Sequence, residues 1–241
     1  MAGSEGAIMT TRSHHAASRV ADHTKDRPHI SHLGTSALLF EAPGAFDLRN
    51  QRRIWALAHR AQGWPDVREA VPGMTNLLLT FETPPRDIEA LTAALLKAWE
   101  SGEEWTVQAK TLDILVTYGG KDGPDLHHMA EYTGLSIDDV VQIHAGIPYT
   151  VFALGSHPGY CYLGLVDPRL AIPRRKVPRV SIPAGSVSIG GMQTGVSASP
   201  GPSGWHTIGR ATLSFFDPTK PEPALLSPGD IVRFHVERII P

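Results

Sequence analysis

The chain holds a single cysteine, Cys161, in 241 residues. That excludes an intramolecular disulfide framework and any cysteine-rich zinc site. No apolar run approaches the ~20 residues that a membrane-crossing helix needs. No apolar segment stands behind the N-terminal charges, so no secretory signal is expected. Charge of one sign is lacking too: 22 Lys+Arg against 24 Asp+Glu leave a formal charge of −2. Nucleic-acid binders usually carry a basic excess, so no nucleic-acid partner is expected. Together these absences favour a reducing, cytoplasmic setting without a membrane partner. Several enzyme signatures are missing as well: there is no Walker A loop, no H-E-x-x-H, no G-x-S-x-G and no Rossmann fingerprint. Paired His14-His15 rarely bind a metal alone, and no metal site is expected.

What the chain has in excess is glycine and proline. The 23 Gly and 20 Pro amount to 43 residues, about 18% of the chain, against an average of about 12%. Thirteen of the twenty prolines lie from Pro148 onward. Proline belongs in turns, sheet edges and helix starts. The chain therefore changes character near residue 147, helix-bearing before and turn-rich, all-β after. A hydrophobic fraction of 41% can form a core.

Residues 1–34 read as a disordered tail, because Ser, Thr, His and mixed charges recur there without period. Order begins with a short strand at Ser36–Glu41. Asp47 is placed to cap a helix through Gln62, where Ile54, Leu57, Ala58 and Ala61 make one apolar stripe. Val67, Glu69 and Val71 alternate in a strand, and Leu77, Leu79 and Phe81 line the next. Thr83-Pro84 reads as the cap and first residue of a helix carrying Ile88, Leu91, Leu95 and Trp99. Leu112, Ile114, Val116 and Tyr118 form a further strand. The order βαββαβ is that of a ferredoxin-like α+β domain over residues 35–118.

Residues 119–146 form a helical connector. Asp125 caps one helix ending at Gly134, and Ser136 with Asp139 starts a second ending at Gly146. Residues 147–241 carry short apolar stretches between Pro and Gly: Tyr149–Leu154, Val180–Ile182, Val187–Ile189, Thr212–Phe216 and Ile231–Val236. Short strands at this spacing indicate a barrel or sandwich.

Four places carry candidate chemistry. Cys161 has His157 four residues before it, which invites a thiol nucleophile, but a lone cysteine among aromatics reads better as an inert filler. Arg169, Arg174, Arg175, Lys176 and Arg179 form a dense basic run held extended by Pro168, Pro173 and Pro178. It suits a carboxylate or phosphoryl ligand, since guanidinium groups make bidentate contacts, or else a solvated rim or contact with another chain. His144, on an apolar helix side, is either a satisfied core histidine or a proton carrier at a domain seam. Gln193 and Thr194 follow a strand and either bind a polar substrate or form a simple turn.

These motifs together resemble a known family. They include Tyr118-Gly-Gly-Lys-Asp-Gly-Pro-Asp-Leu126, Val140 through His144, and His157-Pro-Gly-Tyr-Cys-Tyr-Leu-Gly164. Asp167 through Arg175, Pro178 through Ser186, Gln193-Thr-Gly195, Gly204-Trp205, Phe216-Asp-Pro218 and Leu226-Ser-Pro-Gly-Asp230 continue the series. The family is that of the B-type 5-oxoprolinase subunit, KipI and allophanate hydrolase subunit 1, and the resemblance covers residues 36–241. It implies a ferredoxin-like domain followed by a cyclophilin-like β-barrel. It also implies a C-type 5-oxoprolinase partner (allophanate hydrolase subunit 2) and a third, A-type partner, which together open 5-oxoproline to glutamate with ATP. ATP, with Mg2+, is then a co-substrate, and no biotin is carried on this chain. Two alternatives come from the same family: a urea carboxylase-type carboxyltransferase component and a KipI-like inhibitor of a histidine kinase. Ser156 and Tyr160 stand where the family commonly has phenylalanine, and His206 where glutamine is frequent.

Within that reading, opening a lactam through a phosphorylated oxygen needs cations, oxyanion donors and a base for water. Arg174, Arg175 and Arg179 are candidates for the first, Gln193 and Thr194 for the second, and His144 or His157 for the third. Gly159, Tyr162 and Trp205 join the arginines as candidate substrate- or ATP-binding residues. Replacing Arg174 or Arg179 is expected to cut turnover and leave the fold intact.

Overall fold

The computed structural model describes residues 27–106 and 108–241. Most of the expected tail, residues 1–26, lies outside the described residues. Its end does not behave as a tail: His29–Leu33 forms strand β1, which pairs antiparallel with β2 (Ala37–Glu41). Helix α1 (Leu48–Ala61) starts where the stripe predicts, with the Asp47 carboxylate accepting from Asn50 N at 2.8 Å. Strands β3 (Glu69–Pro72) and β4 (Asn76–Thr80) follow. Helix α2 (Ile88–Glu100) is capped by Asp87, which accepts from Ala90 N at 2.8 Å. The expected cap at Thr83 is displaced because Pro84 is followed by Pro85, and a residue before proline is pushed out of the helical region.

The first unit is thus a four-stranded antiparallel sheet in the order β1-β2-β4-β3. Leu38, Phe40, Leu77 and Leu79 pack with Ile54, Leu57, Leu95 and Trp99 of the two helices. The strand expected to complete it, β5 (Thr111–Gly119), is not part of this sheet. β1 takes the place beside β2, and β5 instead pairs parallel with the last strand of the chain. The alternation of Leu112, Ile114, Val116 and Tyr118 identifies the buried row but not the sheet that buries it.

The second unit opens with β5. Helices α3 (Leu126–Thr133) and α4 (Ile137–Ala145) follow, the first closed by Gly134 at φ 70° and the second capped by Ser136. Then come β6 (Tyr149–Leu154), β7 (Cys161–Leu165), β8 (Arg179–Ile182), β9 (Ser186–Gly190) and β10 (Gln193–Val196). The last are β11 (Gly201–Ser203), β12 (His206–Ala211) and β13 (Ile231–Ile240). Seven strands close into a barrel in the order β10-β7-β6-β13-β5-β12-β9, and β8 with β11 make a separate two-stranded ribbon. The expected strand at Thr212–Phe216 is displaced to β12; of that stretch only Phe216 makes an isolated bridge, to Ala224. No helix among the described residues is long and apolar enough to cross a membrane.

The two units meet at α1 and β6. Gln51, fully buried, donates to Phe152 O at 3.1 Å and to Gly73 O at 2.9 Å, and the Trp55 indole donates to Phe152 O at 2.9 Å. Satisfying these buried polar groups across the seam keeps it from becoming a loss.

Candidate functional site

Gln193 and Thr194 sit within β10 rather than after a strand. Side chains alternate across a strand, so Thr194 and Val196 face the barrel interior, both fully buried. There Thr194 meets His144, which is likewise fully buried. Thr194 Oγ1 donates to Ser188 O at 3.2 Å and so accepts from His144 Nε2 at 3.0 Å. His144 Nδ1 then accepts from the Tyr118 hydroxyl at 2.9 Å. This arrangement uses each group's single proton once and fixes a neutral, Nε2-protonated imidazole. Tyr149 adds a bond from its hydroxyl to His144 O at 2.8 Å, and Phe234 stacks on the ring at 4.8 Å. An inward-facing tyrosine in the sequence already implied a buried hydroxyl in need of a partner.

Burial lowers the His144 pKa to about 3. The unfolded chain protonates this histidine near pH 6.5 and the folded one does not until about pH 3, so the unfolded state binds more protons between those values. Stability is therefore expected to be unaffected above pH 6.5 and to fall on acidification below it, at up to about 1.4 kcal/mol per pH unit. Denaturant titrations across pH 4–7 check this: His144→Gln should lose that slope, and an unchanged slope would contradict it.

The basic run is divided. Arg175 Nη1 donates to Asp125 Oδ1, and Arg179 Nη2 donates to the same oxygen at 2.7 Å. The other oxygen accepts from Thr207 N at 2.9 Å and Arg179 Nε at 3.3 Å. Asp125 is buried. It occupies the cap position of α3 but makes no capping bond; two guanidinium groups and an amide from distant segments claim its lone pairs instead. The same segment is pinned by Arg175 N to Gly204 O at 2.8 Å and by His206 Nε2 donating to Pro173 O at 3.0 Å. Residues 173–182 thus form a strap fastened to the barrel. Sequence reasoning missed Asp125 as a site residue because its partners lie about fifty positions away, and no local signal reveals them.

Arg174 differs from its neighbours. It is exposed, has no carboxylate partner among the described residues, and holds its guanidinium 5.8 Å from the Trp205 ring centroid. Trp205 belongs to a ring cluster on the outer barrel wall. Tyr160 and Tyr162 flank Cys161 with opposite parity to the core, and their rings meet edge-on at 4.7 Å. Trp205 lies 6.2 Å and 6.0 Å from them, and His157 stands 5.2 Å from Tyr160. Glycines make the seat: a Cβ at Gly190 would lie 2.6 Å from Trp205, and one at Gly195 2.7 Å from the Tyr160 hydroxyl. Gly159, at φ 77°, would drive a Cβ to 2.7 Å from Phe216, so the turn into β7 requires glycine there.

His157 is half-buried, and desolvation lowers its pKa. Its Nε2 accepts from Ser199 N at 3.3 Å. The Cys161 thiol donates to Gly159 O, and burial pushes it up to about 12, so it carries no thiolate at neutral pH and acts as filler. The structure brings His144 and Thr194 together inside the barrel, and Arg174, Trp205, Tyr160, Tyr162 and His157 together outside it. It does not join the two groups. Clefts of about 330 and 350 Å³ open elsewhere, beside Trp55 and Trp105 and against α2.

The described residues thus form a closed seven-stranded barrel, with the ring-and-arginine patch on its wall, beside a small αβ unit. Residues 28–226 match the carboxyltransferase domain family, subdomain C and D. The chain is 43% identical to the B-type 5-oxoprolinase subunit of Escherichia coli O157:H7 over 202 residues, covering 84% of this chain and 93% of that one. Its identity to the Haemophilus influenzae protein of the same name is 36%, covering 86% and 97%. The chain belongs to this family, that of carboxyltransferase-domain proteins including the B-type 5-oxoprolinase subunits, and the resemblance read from its motifs is borne out. Among solved structures it is similar to TTHA0988, with a TM-score of 0.69 and 34% identity, covering 83% of this chain and 39% of that one. Urea amidolyase of K. lactis, at 20% identity and a TM-score of 0.75, shares the fold over 90% of this chain and 15% of its own.

Proposed function

We propose that this chain is the B-type subunit of an ATP-dependent 5-oxoprolinase that hydrolyses 5-oxoproline to glutamate. The observation that carries the reading is the 43% identity, over nearly the whole relative, to a protein named as that 5-oxoprolinase subunit. The names of these relatives do not favour the carboxylase-component or kinase-inhibitor alternatives. In this reading the chain is cytoplasmic, its barrel is of the cyclophilin-like kind, and it works with a C-type and an A-type subunit.

In this reading the candidate residues divide by what their surroundings leave them free to do. Arg174 is the guanidinium available to an anionic group, the substrate carboxylate or a transferred phosphoryl group, and the Trp205–Tyr160–Tyr162 rings supply an apolar wall beside it. Arg175 and Arg179 spend their charge on Asp125 and hold the strap that presents Arg174. His157, half-buried at the edge of this patch, is better placed than the sealed His144 to exchange a proton with water. Thr194 and His144 maintain the barrel behind it. ATP, with Mg2+ on its phosphates, is the co-substrate that activates the lactam oxygen. The test is co-expression with a C-type and an A-type subunit, followed by 5-oxoproline-dependent ATP hydrolysis. Turnover by the assembly and negligible turnover by this chain alone are expected; an assembly that forms but is inert toward 5-oxoproline would refute the assignment.

A further inference from the structure

Three consecutive residues at the entry to β12 hold three consecutive residues of the strap. Gly204 O accepts from Arg175 N at 2.8 Å, and His206 Nε2 donates to Pro173 O at 3.0 Å. Between these two bonds the Trp205 ring lies 5.8 Å from the Arg174 guanidinium. Arg174 is therefore an exposed side chain on a backbone fixed at both neighbours. Of the two bonds, only the one from His206 comes from a side chain, so only that one can be altered by a proton.

The His206 ring is seated for its neutral form. The residue is 4% exposed, and Nδ1 is sealed and has no partner among the described residues. Since Nε2 carries the proton that Pro173 O accepts, Nδ1 is a bare acceptor. Protonation would create a sealed N–H with nothing to accept it, on a ring held out of water. Burial is the largest influence on the ring and lowers its pKa. The bond to Pro173 O and the Asp125 carboxylate favour the proton; His128 of α3, its ring 5.1 Å away, and Arg175 of the strap oppose it. Asp125 is moreover already claimed by Arg175 and Arg179.

We infer that His206 is a positioning residue: its neutral imidazole registers Arg174 over Trp205, and a proton on it expels the ring from its seat and frees that end of the strap. Its effect on turnover rests on the reading of this chain as an oxoprolinase subunit; its hold on the strap does not. The barrel itself stays closed, because the strap lies outside the strands that form it. A glutamine amide can donate to Pro173 O as Nε2 does and cannot titrate.

Hydrogen exchange of the full chain, corrected for the intrinsic pH dependence of amide exchange, reads the strap directly. The reporter is the Arg175 amide, which Gly204 O protects. From about pH 7.5 to about pH 5.5 its protection should fall severalfold, up to about tenfold, the ratio set by a freed histidine that titrates near pH 6.5. Amides of β5 and β13 should hold, which separates this local release from the loss of stability due to His144. His206→Gln should keep the Arg175 amide protected at both pH values, and His206→Ala should leave it unprotected at both. No fall in the wild-type chain, or the same fall in His206→Gln, overturns the role assigned to His206. In the assembled enzyme His206→Ala should lower turnover of 5-oxoproline roughly 10- to 100-fold, since misplacing one binding group by about 1 Å can cost that much. His206→Gln should restore most of it. Wild-type turnover in His206→Ala would remove the positioning role and leave the subunit reading standing. An assembly inert toward 5-oxoproline would remove the subunit reading, and the exchange comparison would still decide what His206 does to the strap.

Discussion

Asp125→Ala is expected to be the most destabilising single substitution at the strap. The carboxylate is 4% exposed and accepts from Arg175, Arg179 and Thr207 N. Its loss leaves two guanidinium groups facing each other and a buried amide without an acceptor. Breaking a buried pair from one side costs about 3–5 kcal/mol as a rule; the arginine side chains keep 27% and 32% exposure, so water screens part of the charge and about 3 kcal/mol is expected. For a chain of this size that lowers the melting temperature by roughly 6–12 °C. Asp125→Asn keeps one acceptor oxygen and should fall between. The decisive comparison is a cycle: with Arg175→Met and Arg179→Met already in place, Asp125→Ala should cost much less, because no buried positive charge is left unpaired. Calorimetry of the four proteins checks it, and an equal loss in both backgrounds would mean the pairing is not what holds the strap.

Arg174→Ala is expected to lower turnover of the assembled enzyme without lowering its melting temperature. Arg174 is exposed and makes no ion pair among the described residues, so the fold has little to lose. One charged hydrogen-bonding group in a site is worth about 1.5–3 kcal/mol, or roughly 10- to 150-fold in rate. Arg174→Lys should recover only part, since an ammonium cannot reproduce the planar fork or stack over Trp205 as well. Arg179→Ala is expected to behave differently, losing stability along with turnover, because its partner is the buried Asp125. This departs from the expectation that the two arginines are equivalent: an extended chain spaces them, but only the packed barrel shows which one a carboxylate has claimed. Steady-state kinetics at saturating partner, beside melting curves, separate the cases. Wild-type turnover in Arg174→Ala would leave it a solvated rim residue.

Much of the architecture was legible from local chemistry. The α1 stripe, the Asp47 and Ser136 caps, the turn at Gly134 and the inward Leu77 and Leu79 follow from periodicity and capping, which act within a few residues. The change to a turn-rich β domain followed from proline placement. The motif series, read as a resemblance, named the family. Tertiary structure decided whatever depended on a distant partner. It moved β5 into the barrel beside β13 and put β1 at the sheet edge, since strand pairing is non-local and alternation marks only a face. It turned Asp125 from a helix cap into the anchor of two arginines, because a buried carboxylate goes to the strongest donors within reach. It sealed His144 and Thr194 inside the barrel and left Arg174 outside, because the buried face of α4 and the inward side of β10 turn toward the core while Arg174 lies on the strap across the barrel's exterior.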